Sequence, residues 1–419
     1  MQSALIQRYL GNKSSISNDI VRVLNDIARP GDVVFDAFSG SLATSAAFRT
    51  AGYEVACNDI NYFSWLFARA YFSTASMPWP KGFARKPKET KEQIWARVIA
   101  SLTAPYQDDI PKHARRNDIF DHYCEEGRNS AFTSLRGKSG RRRFFSSENS
   151  KLIDRALSRI RFWRVSKNID EITMCILAAS LVTSVEKISN TQGTYHDFPR
   201  EFIDSRALKT IQVLPPCKEW FGGPKSRYIG KAEDSLMFAK SLPRHKVMYL
   251  DPPYNFRQYT SYYFMLNLLS GYAEIDDLDI YFENLEFVRG QNMQSDFKSS
   301  FCSKTAFLPS LRQIISSADC EYVILSYFDG KNHWGTFKST ESELTGRRVL
   351  EQLFNSELFV TGSAHCVPIS RTNYQSYGGH TAQAVNELLF IAQKANQRTI
   401  QQKLDRDVGS TTWTGSEVA

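Results

Sequence analysis

The 419-residue chain holds no CxxC pair, and its seven cysteines are scattered singly and odd in number. That pattern excludes a disulfide framework and leaves reduced thiols in an intracellular protein as the expectation. The start, Met1-Gln2-Ser3-Ala4-Leu5-Ile6-Gln7-Arg8, lacks the apolar core of a signal peptide, and no apolar run is long enough to cross a bilayer. A soluble, cytoplasmic protein with no membrane partner is therefore expected. Gly137-Lys138-Ser139 ends like a phosphate-binding loop, but Phe132 stands where the first glycine is required, which excludes that loop. Cys217 follows no buried strand and has no basic neighbour arranged to lower its pKa, so a nucleophilic role is excluded. His122-Tyr123-Cys124 has no second ligand pair at zinc spacing; a solvated loop is expected there and no metal anywhere.

What the chain does have is a 42% hydrophobic content, enough for a sizeable core, and a length that holds two or three domains. Its 52 basic residues against 44 acidic ones give a net charge of +8, a bias toward a polyanionic partner. Ile16, Ile20, Val23, Leu24 and Ile27 repeat at helical spacing until Pro30-Gly31. Val33-Val34-Phe35 then reads as a short buried strand running into Asp36-Ala37-Phe38-Ser39-Gly40-Ser41, followed by a helix from Leu42 to Thr50. The next strand, Glu54-Val55-Ala56-Cys57, delivers Asn58-Asp59, which completes a β-loop-α-β unit. Residues 81–164 are rich in Lys and Arg and read as a basic insertion, with a loop at 136–143. A core helix is expected over 172–188, and late strands at 322–325 and 388–391. The expected organisation is a discontinuous core of 1–80 and 165–395, the insertion 81–164 and a polar tail 396–419.

Asp251-Pro252-Pro253-Tyr254 follows the apolar run Val247-Met248-Tyr249-Leu250. A carboxylate, a rigid turn and an aromatic ring thus arrive together at the carboxyl end of a strand, where open α/β sheets bind ligands. The prolines remove backbone donors and leave the carbonyls of Asp251 and Pro252 as outward acceptors, suited to gripping an amino group. In the earlier loop, Gly40 and its serine neighbours allow close approach of backbone to a ligand, and Asp59 can accept from both ribose hydroxyls of a nucleoside cofactor. A dinucleotide would need a third glycine where Leu42 stands. S-adenosylmethionine, which has no pyrophosphate, has no such need, and Asp234 is the candidate for its adenine; the plain alternative for Asp234 is a helix cap before Leu236, Met237 and Phe238.

On these residues the chain resembles the DNA adenine methyltransferases that modify the 6-amino group, in the subgroup whose cofactor motif comes first. Tyr9-Leu10-Gly11-Asn12-Lys13-Ser14 is similar to that N-terminal motif, Asp36 to Ser41 to the cofactor loop, Asn58-Asp59-Ile60-Asn61 to the ribose-binding strand end, and Asp251 to Tyr254 with Asn255-Phe256-Arg257-Gln258-Tyr259 to the catalytic motif. Weaker likenesses lie at 190–195, Phe301-Cys302-Ser303-Lys304, Leu325-Ser326-Tyr327 and Val385-Asn386-Glu387-Leu388-Leu389-Phe390. Two departures are Leu42 for the third glycine and Ser326-Tyr327-Phe328-Asp329, which lacks the usual Asn.

The resemblance implies a Rossmann-like α/β fold with a mixed seven-stranded sheet, parallel except for one late strand, with helical insertions. It implies methyl transfer from S-adenosylmethionine to adenine in double-stranded DNA, by base flipping and direct transfer. Asp251, Pro252, Pro253 and Tyr254 would be catalytic; Tyr9, Gly11, Asn12, Lys13, Asp36, Phe38, Ser39, Gly40, Asp59 and Asp234 would hold the cofactor. Candidate DNA contacts are Lys138, Arg141, Arg142, Arg143, Arg257, Tyr259 and Lys304, with 257–312 a candidate target-recognition segment. A cognate restriction endonuclease is a candidate protein partner; whether the enzyme has one or is solitary, its target sequence and its oligomeric state are not legible. The same turn chemistry would serve an RNA adenine or cytosine 4-amino methyltransferase, and a catalytically inactive DNA-binding regulator is the rival outside enzymes.

Overall fold

The computed structural model describes residues 5–6, 8–191, 195–254, 256–329, 341–373 and 383–396. Six longer strands are present among them: β1 (Val33–Asp36), β2 (Glu54–Cys57), β3 (His245–Leu250), β4 (Cys320–Phe328), β5 (His365–Asn373) and β6 (Gln383–Gln393). The chain divides into two compact bodies, one of residues 1–17, 39–234 and 257–298, the other of residues 18–38, 235–256 and 299–419.

The second body carries a sheet with strand order β1-β3-β4-β6-β5. β1 and β4 both run parallel to β3, with Asp36 opposite Tyr249 and Leu250 opposite Leu325. β6 is antiparallel to both β4 and β5, so it is the one reversed strand of this sheet. Val247 to Leu250 and Val323 to Leu325 are all fully buried, the near-continuous apolar run expected of strands covered on both faces. The mixed, mainly parallel α/β architecture matches the expectation. The strand count does not: six such strands stand among the described residues, five in this body and β2 in the other, against seven expected. After the helix Tyr62–Phe72 the chain instead runs through Pro78, Pro80 and Pro87, which lack the donors a strand needs, to the helix Lys91–Thr103.

The first body is built around the helix Glu171–Ile188, which packs against the helices Tyr62–Phe72, Ser147–Val165 and Phe264–Gly271. Asp170 caps it by accepting from the Thr173 amide at 2.9 Å. Many of the basic residues that mark the insertion in sequence are structural. Arg159 is buried and donates to Asp109 and to the carbonyls of Leu102, Ala104 and Pro105. His122, Tyr123 and Cys124 are a correction to the solvated loop expected: all three are buried, the first two in the helix Asp118–Tyr123, with His122 stacked on Phe282 at 4.6 Å. Among the described residues no helix is long and apolar enough to cross a membrane, and no three His, Cys, Asp or Glu groups cluster as metal ligands. Residues 397–419 of the expected tail lie outside the described residues.

Candidate active site

In the sheet body, Asp36 and Asp251 leave the carboxyl ends of the adjacent parallel strands β1 and β3, where the Ala37 amide donates to the Tyr249 carbonyl at 3.1 Å. Asp36 is buried. Phe38 stands edge-on to Phe301 at 4.8 Å between ring centroids. From there a run of rings continues through Phe307 and Tyr327 to Tyr254, with centroid separations of 6.4, 5.7 and 6.3 Å. Tyr254 also leans on Phe328 at 5.5 Å. This aromatic run ties the end of β1 to the Asp251-Pro252-Pro253-Tyr254 turn. Tyr327 belongs to it despite the missing Asn and backs the turn, while its neighbour Ser326 donates to Glu387 at 2.7 Å. Lys304 is exposed.

In the helical body, the loop after Phe38 is bound to the end of β2. Ser39 donates to the Asn58 carbonyl through its amide and hydroxyl at 3.0 and 3.1 Å. The Gly40 amide donates to Asp59 Oδ2 at 2.9 Å, while Asp59 Oδ1 accepts from the Asn61 amide and side chain at 2.8 and 2.9 Å. Burial pushes the Asp59 carboxyl above its ordinary range, and the bonds from Asn61 and Gly40 only partly offset this. Leu42, at the position of the missing glycine, adopts the left-handed conformation that a glycine would take, with φ 63° and full burial. Left-handed backbone costs about 1–2 kcal/mol, and burying a Leu side chain returns about 1.5–3 kcal/mol, so the exchange is affordable.

Tyr9 stacks on Tyr263 at 4.9 Å, and the Tyr263 hydroxyl accepts from the Leu10 amide at 2.7 Å. Gly11 has φ 77°, Asn12 accepts from the amide and hydroxyl of Ser14, and Lys13 is buried. Tyr259, expected at DNA, packs 5.9 Å from the Tyr9 ring. Asp234 is half-buried at the end of a segment whose Glu233 carbonyl accepts from Asn58.

The basic stretch is a hairpin of Ala131–Thr133 and Ser139–Arg141 rather than a bare loop. Lys138 and Arg136 are exposed beside Leu135, which is 98% exposed at the tip. Arg142 differs from the phosphate contact expected: it is buried and donates to the carbonyls of Val288, Asn129 and Phe287. Arg141 donates to the carbonyls of Glu125 and Gly127, and Arg143 to the Arg200 carbonyl and Glu125. Arg257 is exposed, with its guanidinium 5.5 Å from the Tyr262 ring. The excluded nucleophile Cys217 donates to Glu219 Oε2, and burial followed by that carboxylate pushes its thiol up.

Residues 9–298 match the family model for D12 class N6 adenine-specific DNA methyltransferases. The chain belongs to that family. Relatives of this D12 chain include the Type II methyltransferase M.NlaIII of Neisseria lactamica, 28% identical over 323 residues, which are 76% of this chain and 82% of that protein. The Type II methyltransferase M.FokI of Planomicrobium okeanokoites is 25% identical over 92% of this chain and 52% of its own length. The modification methylase LlaI of Lactococcus lactis subsp. lactis is 26% identical over 76% of this chain and 46% of its own. The aligned part of this chain thus spans about half the length of the latter two. The D12 match includes the Asp251 turn but stops before Tyr327, Arg371 and Glu387. Sequence reading did not single out Arg371. Its guanidinium stands over Phe328, the ring that Tyr254 leans on, only because β5 pairs with β6 and β6 with β4, which no local pattern specifies.

Proposed function

We propose that this D12 methyltransferase transfers a methyl group from S-adenosylmethionine to the 6-amino group of a flipped adenine in double-stranded DNA. The observation that carries the reading is Asp251-Pro252-Pro253-Tyr254 at the end of buried β3, beside Asp36 at the end of β1 and backed by Tyr327 and Phe328.

The residues present fit the cofactor. Asp59 has two carboxylate oxygens with about four lone-pair sites, of which three take the bonds described above, so a ribose hydroxyl still has an acceptor. Tyr9, Gly11, Asn12 and Lys13 would flank the amino acid end, Asp36, Phe38, Ser39 and Gly40 the centre, and Asp234 the adenine. When bound, the cofactor supplies an electrophilic methyl on a positive sulfonium.

An aromatic amine is a poor nucleophile because its lone pair is delocalised into the ring. Asp251 and the Pro252 carbonyl each accept one amine hydrogen, drawing the nitrogen toward a tetrahedral shape, and the Asp251 charge stabilises the positive charge that develops on it; the methylated nitrogen then gives up one hydrogen as a proton, and S-adenosylhomocysteine is the other product. Removing a preorganised partner of this sort costs about 3–4 kcal/mol. Tyr254 receives the flipped base on its face. Exposed Lys138, Arg136 and Arg257 act on phosphates, and the bare Leu135 tip suits contact with an opened base step. The names of the relatives, Type II methyltransferase and modification methylase, support a role beside a restriction endonuclease with the same target.

The test is transfer of tritiated methyl from S-adenosylmethionine to duplex DNA and to RNA of the same sequence, with digestion to nucleosides. Label in N6-methyladenine from DNA, lost in Asp251→Ala, is expected. Label in RNA alone, or on cytosine, overturns the reading, as does Asp251→Ala activity near that of the wild type.

A further inference from the structure

Behind the Asp251 turn lies a charged pair that the reaction just described does not use. Glu387 on β6 has a fully buried side chain, accepts from Ser326 Oγ at 2.7 Å, and lies 3.3 Å from Nε of Arg371 on β5. The Arg371 side chain is only 11% exposed. Its guanidinium lies 5.2 Å from the centroid of the Phe328 ring, the same ring that Tyr254 leans on. Tyr254, through its hydroxyl, and the Asp251 carboxylate both favour the charge of Arg371.

Burying an ion pair is costly, and hydrophobic residues of similar volume would hold two strands together as well or better. The pair therefore needs a reason other than stability. A planar guanidinium can lie on one ring, donate along its edge to a hydroxyl and remain fixed by a carboxylate at once, which a lysine cannot do. Here it stands over Phe328, the ring that Tyr254 leans on, and is paired with Glu387, which accepts from Ser326 in turn. Glu387 also balances the cation, so that Arg371 can stand near the site without opposing the positive charge that develops on the amine.

We propose that Arg371, clamped by Glu387, is a positioning residue that fixes the Tyr254 ring and with it the geometry of the Asp251-Pro252-Pro253-Tyr254 turn. It touches neither base nor cofactor. The inference rests on the assignment of Asp251 and Tyr254 as the amine grip and the base platform.

The experiment uses the full chain and a duplex whose target has been mapped by sequencing methylated DNA, with 2-aminopurine at the methylated position for fluorescence. Arg371→Met should lower kcat by about 10- to 100-fold, the effect of a misplacement of about 1 Å, while KM for DNA moves far less. Its 2-aminopurine signal should differ from that of the wild type, because the flipped base meets a loosened ring. In a Tyr254→Phe background the same substitution should cost less than in the wild type, since the hydroxyl it acts through is already gone. Glu387→Gln should follow Arg371→Met in direction. If Arg371→Met fails to fold, Arg371→Lys carries the same comparison with the charge retained. A kcat unchanged in the variant that folds, or a loss equal in both Tyr254 backgrounds, overturns the inference. Asp251→Ala run in parallel separates the two failures: an active Asp251→Ala sinks the catalytic reading, whereas an inactive one beside a fully active Arg371 variant sinks only this proposal.

Discussion

A Cβ placed on Gly40 would lie 2.6 Å from the Tyr9 hydroxyl oxygen and 2.7 and 2.8 Å from two carbons of its ring. Thirty-one positions of sequence separate two residues that admit no methyl group between them. Gly40 also has φ 46°, in the left-handed region. The requirement for glycine is therefore double, steric and conformational.

Gly40→Ala should destabilise the chain by about 1–2 kcal/mol through backbone strain alone, with the displacement of Tyr9 added to that. Thermal unfolding of Gly40→Ala and of Gly40→Ala with Tyr9→Ala separates the two contributions. The double variant should recover part of the loss in excess of Tyr9→Ala itself, because the clash is gone while the strain stays. A single variant as stable as the wild type would deny the close approach.

Asp59→Ala should weaken adenosine binding by roughly 1.5–3 kcal/mol, the range for hydrogen bonds to a charged group, with little effect on methionine. Competition calorimetry with the two fragments reads this, and equal losses for both would argue against a ribose contact. The pH dependence has opposite signs for folding and binding. Burial raises the folded pKa of Asp59, so its contribution to stability is fully present below the ordinary carboxylate value and is lost as pH rises through the raised one. Cofactor binding needs the ionised acceptor and should weaken as pH falls through that same raised value.

Arg136 and Lys138 at the hairpin tip should part company with Arg142 at its base. Neutralising the tip pair should flatten the salt dependence of DNA binding by about 0.9 log units per lost phosphate contact without changing the methylated site. Arg142→Met should leave that slope in place and instead lower the unfolding temperature, since each buried carbonyl left unpaired costs about 1–3 kcal/mol. A salt slope that changes with Arg142→Met, or holds when the tip is neutralised, would reverse these roles.

Local sequence determined the elements that local physics controls. The apolar runs at 247–250 and 322–325 formed buried strands because little else suits a short, wholly apolar segment, and the helical spacing over 172–188 formed the central helix Glu171–Ile188. The Asp251 turn was legible because two prolines after such a strand permit few conformations. Three matters were settled only by tertiary structure. Whether an arginine faces solvent or carbonyl oxygens depends on what the fold leaves beside it, so Arg142 and Lys138, four residues apart, read alike in sequence and differ in burial. Leu42 could stand where a glycine was expected because the fold buries its side chain against the left-handed strain. Arg371 came to stand over Phe328, the ring that Tyr254 leans on, through the pairing of β6 with β4, whose partners lie 59 to 71 positions apart, and long-range pairing is decided by the closure of the whole sheet, on which a local segment carries no information.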